Sequence, residues 1–347
     1  KNGDIGLTIA GKFPIKYEGQ GKFILDGKDI KNEWQGFIPY KNILTYKNPR
    51  EGYVSSANQH PVNKSYPYYY YSHNYEMYRG RRLIERLESI DNVEINDIKK
   101  IQNDNFNYKA YEVLPLILDE IDTSKLTYEQ KIYFKNLKNW DYFAEVSNEN
   151  QVVFNEWWNN LYKNIWDEFD SLKYPYRKPN SFRTYKLIKE DKNSKFYDVI
   201  STSKNESLND LINKSFLEIT VKLDTFKKRN SLKKIKWDHY KNTTINHLLR
   251  IKSFSYDSVS IGGYRNILNA ASERHGPSFR LIVKLKQNEK TKAWGVYPGG
   301  QSGNIGSQNY FGEVENWGKG VYNKLLFNSN YMDNRNHIIF EKKYNIK

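Results

Sequence analysis

The sequence predicts an α+β protein. A long central region repeats apolar residues at helical spacing, while short runs near both ends alternate as strands do. No apolar run approaches the roughly 18 residues that cross a bilayer, so no membrane span is expected.

The chain has 347 residues, enough to bury a large core. Mean hydropathy is −0.85, yet 16% of residues are aromatic, which separates this composition from that of disordered chains. The net charge is +15, densest at Lys227-Lys228-Arg229 and Lys233-Lys234-Lys236. No helix-turn-helix, zinc-finger or RNP-type motif accompanies it, so solvated surface lysines are expected rather than a nucleic-acid partner. There is no cysteine, which excludes disulfides and thiolate metal sites and leaves the redox compartment open. Four glycosylation-type triplets, the first at Asn63-Lys64-Ser65, point weakly to an extracellular, periplasmic or cell-surface location.

Ile5 to Lys16 reads as a strand entering an irregular turn, and 19–36 as a loop with a short hairpin. After Pro49-Arg50-Glu51-Gly52, a β-prone run from Tyr53 to Ser56 ends just before Asn58, and Pro61 follows. Tyr66 to Tyr71 is an aromatic cluster, read as packing of a connecting loop. Met77 to Ser89 is an amphipathic helix with Leu83, Ile84 and Leu87 on one face. Ile95 to Asp104 starts another helical unit. Helices are expected over Leu126–Trp140, Asn148–Leu172 and Leu208–Lys227. Trp157, Trp158, Leu161, Ile165, Trp166 and Phe169 belong to the second of these, as core. Residues 174–230 are the least informative part, although a helical pattern returns from Leu208 to Lys227. Phe279–Leu285 and Ala293–Tyr297 alternate as strands, the second running into Pro298-Gly299-Gly300-Gln301-Ser302-Gly303-Asn304. That run nearly matches a G-x-S-x-G nucleophile elbow, but Asn304 replaces the last glycine and no apolar helix follows. Ser302 is therefore read as part of a tight turn.

Several blocks occur in a telling order: Trp34-Gln35-Gly36-Phe37-Ile38-Pro39, Asn48-Pro49-Arg50-Glu51-Gly52, Ala57-Asn58, Tyr78-Arg79 with Arg82, then Pro298 to Asn304. The series resembles the penicillin acylase family of N-terminal nucleophile (Ntn) hydrolases. The resemblance implies the Ntn αββα sandwich: two antiparallel sheets between helical layers. Strands would come from about 1–60 and 278–300, with a large helical insertion at about 70–250. It also implies two site residues. Asn58 would donate its side-chain amide to the oxyanion of the tetrahedral intermediate, and Arg79 would help orient the reacting groups. Read without the family, Asn58 is a turn residue and Arg79 a solvated charge on a first helical turn.

In that family the nucleophile is a Ser, Thr or Cys at the start of a processed chain, with its own α-amine as base. Lys1 cannot fill that role. All of 1–347 thus resembles the C-terminal part of the nucleophile-bearing β subunit. The rest of that subunit and an α subunit from the same autoproteolytically processed precursor would be its partners, and this chain alone would be inactive. The reaction implied is cleavage of an N-acyl bond in linear or β-lactam-linked amides, as in antibiotic deacylation, through an acyl-enzyme. Some members hold calcium through an acidic side chain near the aromatic cluster. Here no Asp or Glu lies between Gln59 and Asn74, so no cofactor is expected. At Trp237-Asp238-His239-Tyr240-Lys241 the family often has W-G-x-x-H; Lys241 stands for that histidine, which argues against a His-pair metal site. His247 is expected to be a hydrogen-bonded structural residue. The competing readings are a non-catalytic relative serving as a binding or surface protein, and a nucleic-acid binder.

Overall fold

The structure is a computed structural model that describes residues 3–70, 76–170, 172 and 176–326. It bears out the α+β expectation, with described helices between Tyr78 and Lys319 and strands grouped toward both ends.

The larger core is helical. Helix α5 (Glu149–Ile165) buries Val152, Val153, Phe154, Trp157, Trp158, Leu161 and Ile165. It packs on α7 (Leu208–Arg229), whose Leu211, Ile212, Phe216, Ile219 and Leu223 face it. Trp157 meets Phe216 edge-on at 4.8 Å and donates its indole N–H to the Ile212 carbonyl at 3.3 Å. Each fully buried apolar side chain of this size stabilises by about 1.5–3 kcal/mol. Helices α3 (Tyr108–Leu118), α4 (Tyr128–Lys138) and α6 (Ser181–Glu190) complete this layer. Capping boxes at Thr127/Gln130 and Ser207/Asp210 set the starts of α4 and α7. The basic run Lys227-Lys228-Arg229 is the last turn of α7, where positive charge complements the helix dipole. Lys227 also pairs with Glu149 at 2.9 Å and lies 4.5 Å over the Tyr133 ring.

The strands form small antiparallel sheets. β1 (Gly6–Thr8) pairs with β2 (Thr45–Lys47), Leu7 opposite Tyr46. β3 (Thr243–Ile245) pairs with β4 (Tyr256–Val259) through a register shift. β5 (Arg280–Lys284), β6 (Lys292–Val296) and β7 (Asn323–Leu325) form a meander, with Ile282 opposite Trp294. Ile282 and Val296 join Val259, Ile261, Val314 and Trp317 in a second core. Helix α2 (Ile95–Gln102) lies beside it against β5, whereas α1 (Tyr78–Glu88) packs on α3. α8 (Trp237–Lys241) and α9 (Val314–Lys319) are short.

Some expectations are corrected. No strand forms over 53–56; that run lies along α1 instead of on a sheet. The loop 19–36 contains no hairpin. Most of its backbone bonds lie within tight turns, the buried Gln20 amide donates to the Asn32 carbonyl at 2.7 Å, and its end pairs back to Ile15 beside an isolated antiparallel bridge between Pro14 and Phe37. α1 does not bury Ile84, which is 36% exposed; its buried residues are Tyr78, Gly80 and Arg82. The helix expected over 148–172 ends at Ile165. Asp167, Glu168 and Asp170 follow, negative charge where the helix dipole disfavours it, and the chain turns into a 3₁₀ turn. Residues 171 and 173–175 lie outside the described residues, as does Tyr71 of the aromatic cluster. Tyr66 and Tyr70 pack with Ile9, Phe13, Ile38 and Leu44, so this part of the cluster joins the loop to the N-terminal strands. Helix α6 was not anticipated, although Asn180 caps it and Phe182, Tyr185 and Ile188 recur at helical spacing.

Candidate active site

Asn58 sits in the left-handed region, φ 65°, which asparagine tolerates better than most residues. The next residue holds it there. The Gln59 side chain accepts from the Ala57 N–H at 2.6 Å and donates to the Ser55 carbonyl at 3.3 Å. Gln59 also packs onto α1 at Gly80, where an added Cβ would come within 3.2 Å of the Gln59 Cβ. Gly80 thus brings the first turn of α1 against the loop.

The second anchor is Tyr53. Its hydroxyl pKa is raised, first by burial and then by the nearby Glu88 and Glu51. Glu88 ends α1 and Arg79 lies in its first turn. From Arg79 to Glu88 the helix rises roughly 14 Å, and from Tyr53 to Asn58 extended backbone covers roughly 17 Å. The two segments therefore run antiparallel, side by side.

At the far end of that pairing, Arg79 Nη2 donates to Asn58 Oδ1 at 2.6 Å. A guanidinium has only donors, so the asparagine must present its oxygen to Arg79 and its NH2 elsewhere. Asn58 is exposed, and among the described residues its Nδ2 donates to no protein group. The pair therefore consists of an exposed amide donor aimed outward and a half-buried arginine behind it. Burial lowers the Arg79 pKa below its ordinary value, but guanidinium remains charged in proteins. The sequence had no signal for Gln59 beyond its adjacency to Asn58, and Gly80 was visible only as a glycine in a helical pattern.

The neighbouring motif residues form the frame. Arg82 is buried and grips Asp104 through Nη2 at 2.8 Å and Nε at 3.1 Å, with Phe106 4.2 Å beneath its guanidinium. Asp104 also accepts from the Phe106 N–H at 2.9 Å. Asn105 accepts from Asn269, whose own oxygen accepts from buried Arg280 at 2.7 Å, and Arg280 donates to the Trp317 carbonyl at 2.7 Å. Tyr322 donates to Gln102 at 2.7 Å. Blocks far apart in sequence thus meet in one buried polar network behind α1.

The other singled-out residues lie elsewhere. Ser302 Oγ accepts from the Asn304 N–H at 3.1 Å inside a turn. Gly300 is required there, because a Cβ would fall 1.9 Å from the Asn309 carbonyl oxygen. His247 Nδ1 accepts from the Leu249 N–H at 3.3 Å, and its ring meets Phe254 edge-on. The Lys241 ammonium is buried and donates to the carbonyls of Ile261, Gly262 and Ala271 at 2.9, 2.9 and 3.0 Å, with Gly263 at 3.3 Å. Burial pushes its pKa down to about 7, while Glu273 and Asp238 act the other way. Among the described residues no group of three or more His, Asp or Glu comes together as a metal site, and no helix is long and apolar enough to cross a membrane.

The family model for penicillin amidase matches residues 1–334. An acyl-homoserine lactone acylase, QuiP, of Pseudomonas syringae pv. syringae is 36% identical over 63 residues, 18% of this chain and 8% of that protein. The penicillin acylase 2 proenzyme of Pseudomonas sp. (strain SE83) is 26% identical over 102 residues, 29% of this chain and 13% of the proenzyme. The matched stretches are thus a small fraction of these relatives. A thermostable penicillin G acylase from Alcaligenes faecalis superposes with a TM-score of 0.63 at 13% identity, over 99% of this chain and 66% of that one. That likeness is one of fold.

Proposed function

The chain belongs to the penicillin amidase family, and from that premise we propose that it forms part of an N-terminal nucleophile amidohydrolase that cleaves an N-acyl amide bond. Asn58 is the oxyanion donor and Arg79 its positioning residue. The observation that carries this reading is the Arg79–Asn58 hydrogen bond, which turns the amide NH2 outward at an exposed edge. A preorganised donor of this kind needs no reorientation when the carbonyl oxygen of a bound amide becomes negative.

The nucleophile is a Ser, Thr or Cys at the N-terminus of a processed polypeptide lying outside these 347 residues. Its α-amine, with an ordinary pKa of about 7.7–8.0, takes the hydroxyl or thiol proton as the acyl-enzyme forms. The protonated amine then returns a proton to the leaving amine, and water releases the acid. The rest of the β subunit and an α subunit are the proposed partners. Exposed apolar side chains support a partner surface: on β5, Leu281 is 44% and Val283 45% exposed, opposite the buried Ile282, and Leu285 just beyond is 75% exposed. A monomeric surface seldom exposes such a patch without use. The relatives are named as an acyl-homoserine lactone acylase and a penicillin acylase, which supports proposing an N-acyl substrate here. Export to the cell surface or beyond is proposed with it.

Intact mass and N-terminal sequencing of every chain in the purified protein test the nucleophile. A chain beginning with Ser, Thr or Cys, together with turnover of a chromogenic N-acyl amide, is the expected result. Turnover by the isolated 347 residues, or a processed chain beginning with any other residue, would overturn the assignment.

A further inference from the structure

We propose that the cleft between α3, α5, the start of α6 and the loop at 264–267 binds a small organic carboxylate. This cleft has a volume of about 230 Å³ and is lined by Lys109, Phe154, Asn155, Trp158, Ser181 and Arg265, among others. It lies outside the Asn58–Arg79 pair and is independent of the amidase reading. Clefts that take drug-sized molecules run to about 300–1,000 Å³, so the occupant is small.

The Lys109 ammonium points to an anion. Lys109 holds its ammonium 5.2 Å from the Trp158 ring centroid and 5.8 Å from that of Phe154. Among the described residues no carboxylate lies within ion-pairing distance of it. Glu76, whose field reaches it, keeps its charge but is held beyond ion-pairing distance by two groups of the lining: one oxygen accepts from the Ser181 N–H at 2.7 Å and the other from Asn266 Nδ2. Arg265 is paired with Glu273 at 3.0 Å and Glu76 takes the N–H at the start of α6, which leaves Lys109 as the cationic group of the lining with no ion pair among the described residues. Burial also pushes the Lys109 pKa down to about 8, while Glu76 acts the other way and Arg265 adds to the lowering.

The neutral groups point to a carboxylate with an apolar body. Asn155 lines the cleft half-buried, and its side-chain amide bonds to no described residue. A carboxylate has two oxygens, one for the Lys109 ammonium and one for the Asn155 NH2. The Trp158 and Phe154 faces supply apolar area beside that pair. A phosphate would bring more charge and acceptors than one lysine and one amide satisfy.

The test is a benzoate titration of the intact protein, read by tryptophan fluorescence and thermal shift, with benzamide and inorganic phosphate in parallel. Benzoate is expected to bind and stabilise, and benzamide and phosphate to bind at least about tenfold more weakly, as when a charge-assisted hydrogen bond is lost. Lys109→Met should weaken benzoate by a similar factor and Asn155→Ala by several-fold. Asn155→Ala, at a half-buried site, keeps the test decisive if Lys109→Met does not fold. Benzamide or phosphate binding as tightly as benzoate overturns the proposal. So does benzoate affinity unchanged in Asn155→Ala, since binding at any other site would survive that change.

Discussion

The guanidinium of Arg79 and the side-chain oxygen of Asn58 lie 2.6 Å apart, joining the first turn of α1 to a left-handed loop residue. The bond fixes which end of the amide is free. It makes the arginine a positioning residue and the asparagine the group that meets substrate.

Asn58→Ala, in the complete processed protein, should lower kcat by about 10²–10³ while leaving KM within a few-fold, as loss of one oxyanion donor does. Arg79→Ala should lower kcat less, because the amide survives but can rotate. Arg79→Lys should recover part of that loss. Steady-state kinetics on a chromogenic amide would check all three, and an Asn58→Ala enzyme with parental kcat removes the residue from the mechanism.

The Arg82–Asp104 pair is buried on both sides, with side-chain exposures of 9% and 5%. Asp104→Ala leaves Arg82 only its pairing with the half-exposed Glu85 at 2.8 Å, so it should cost up to about 3 kcal/mol in urea unfolding, the low end for a broken buried pair. Replacing both with apolar residues of similar volume should cost much less.

Lys241 donates to four carbonyls of one buried loop region, of which that of Gly263 also accepts from the Trp237 indole N–H at 2.9 Å. Lys241→Met keeps the stem and removes the ammonium, which orphans buried acceptors at about 1–3 kcal/mol for each that finds no water. Thermal unfolding should show a marked drop in Tm, whereas Lys233→Met on the same basic stretch, exposed to solvent, should change little.

The stability contribution of Lys109 should depend on pH in a defined direction. Its folded pKa, about 8, lies below its ordinary value of 10.5, so between these the unfolded chain binds more protons. Stability attributable to this group therefore rises as pH increases from about 8 to 10.5 and is lowest below that window. Urea unfolding of parent and Lys109→Met at pH 7.5 and 9.5 measures it: the difference should move in the parent's favour at the higher pH.

The sequence by itself determined where α4, α5 and α7 begin. α4, α5 and α7 follow their apolar period and their Thr127, Asn148 and Ser207 caps, because local spacing and capping are written within a few residues. It also determined the ordered blocks that mark the family. Tertiary structure decided which polar groups meet. Asn58 and Arg79 are 21 residues apart, Arg82 and Asp104 22, and Lys241 reaches carbonyls 20 to 30 residues on. Periodicity identifies an apolar face, but a buried charge finds its partner only once packing has brought distant segments together, and so α1 buries Arg82 where Ile84 was expected. The fate of 53–56 was decided the same way: a strand needs a neighbour to complete its hydrogen bonds, and here the run lies along a helix.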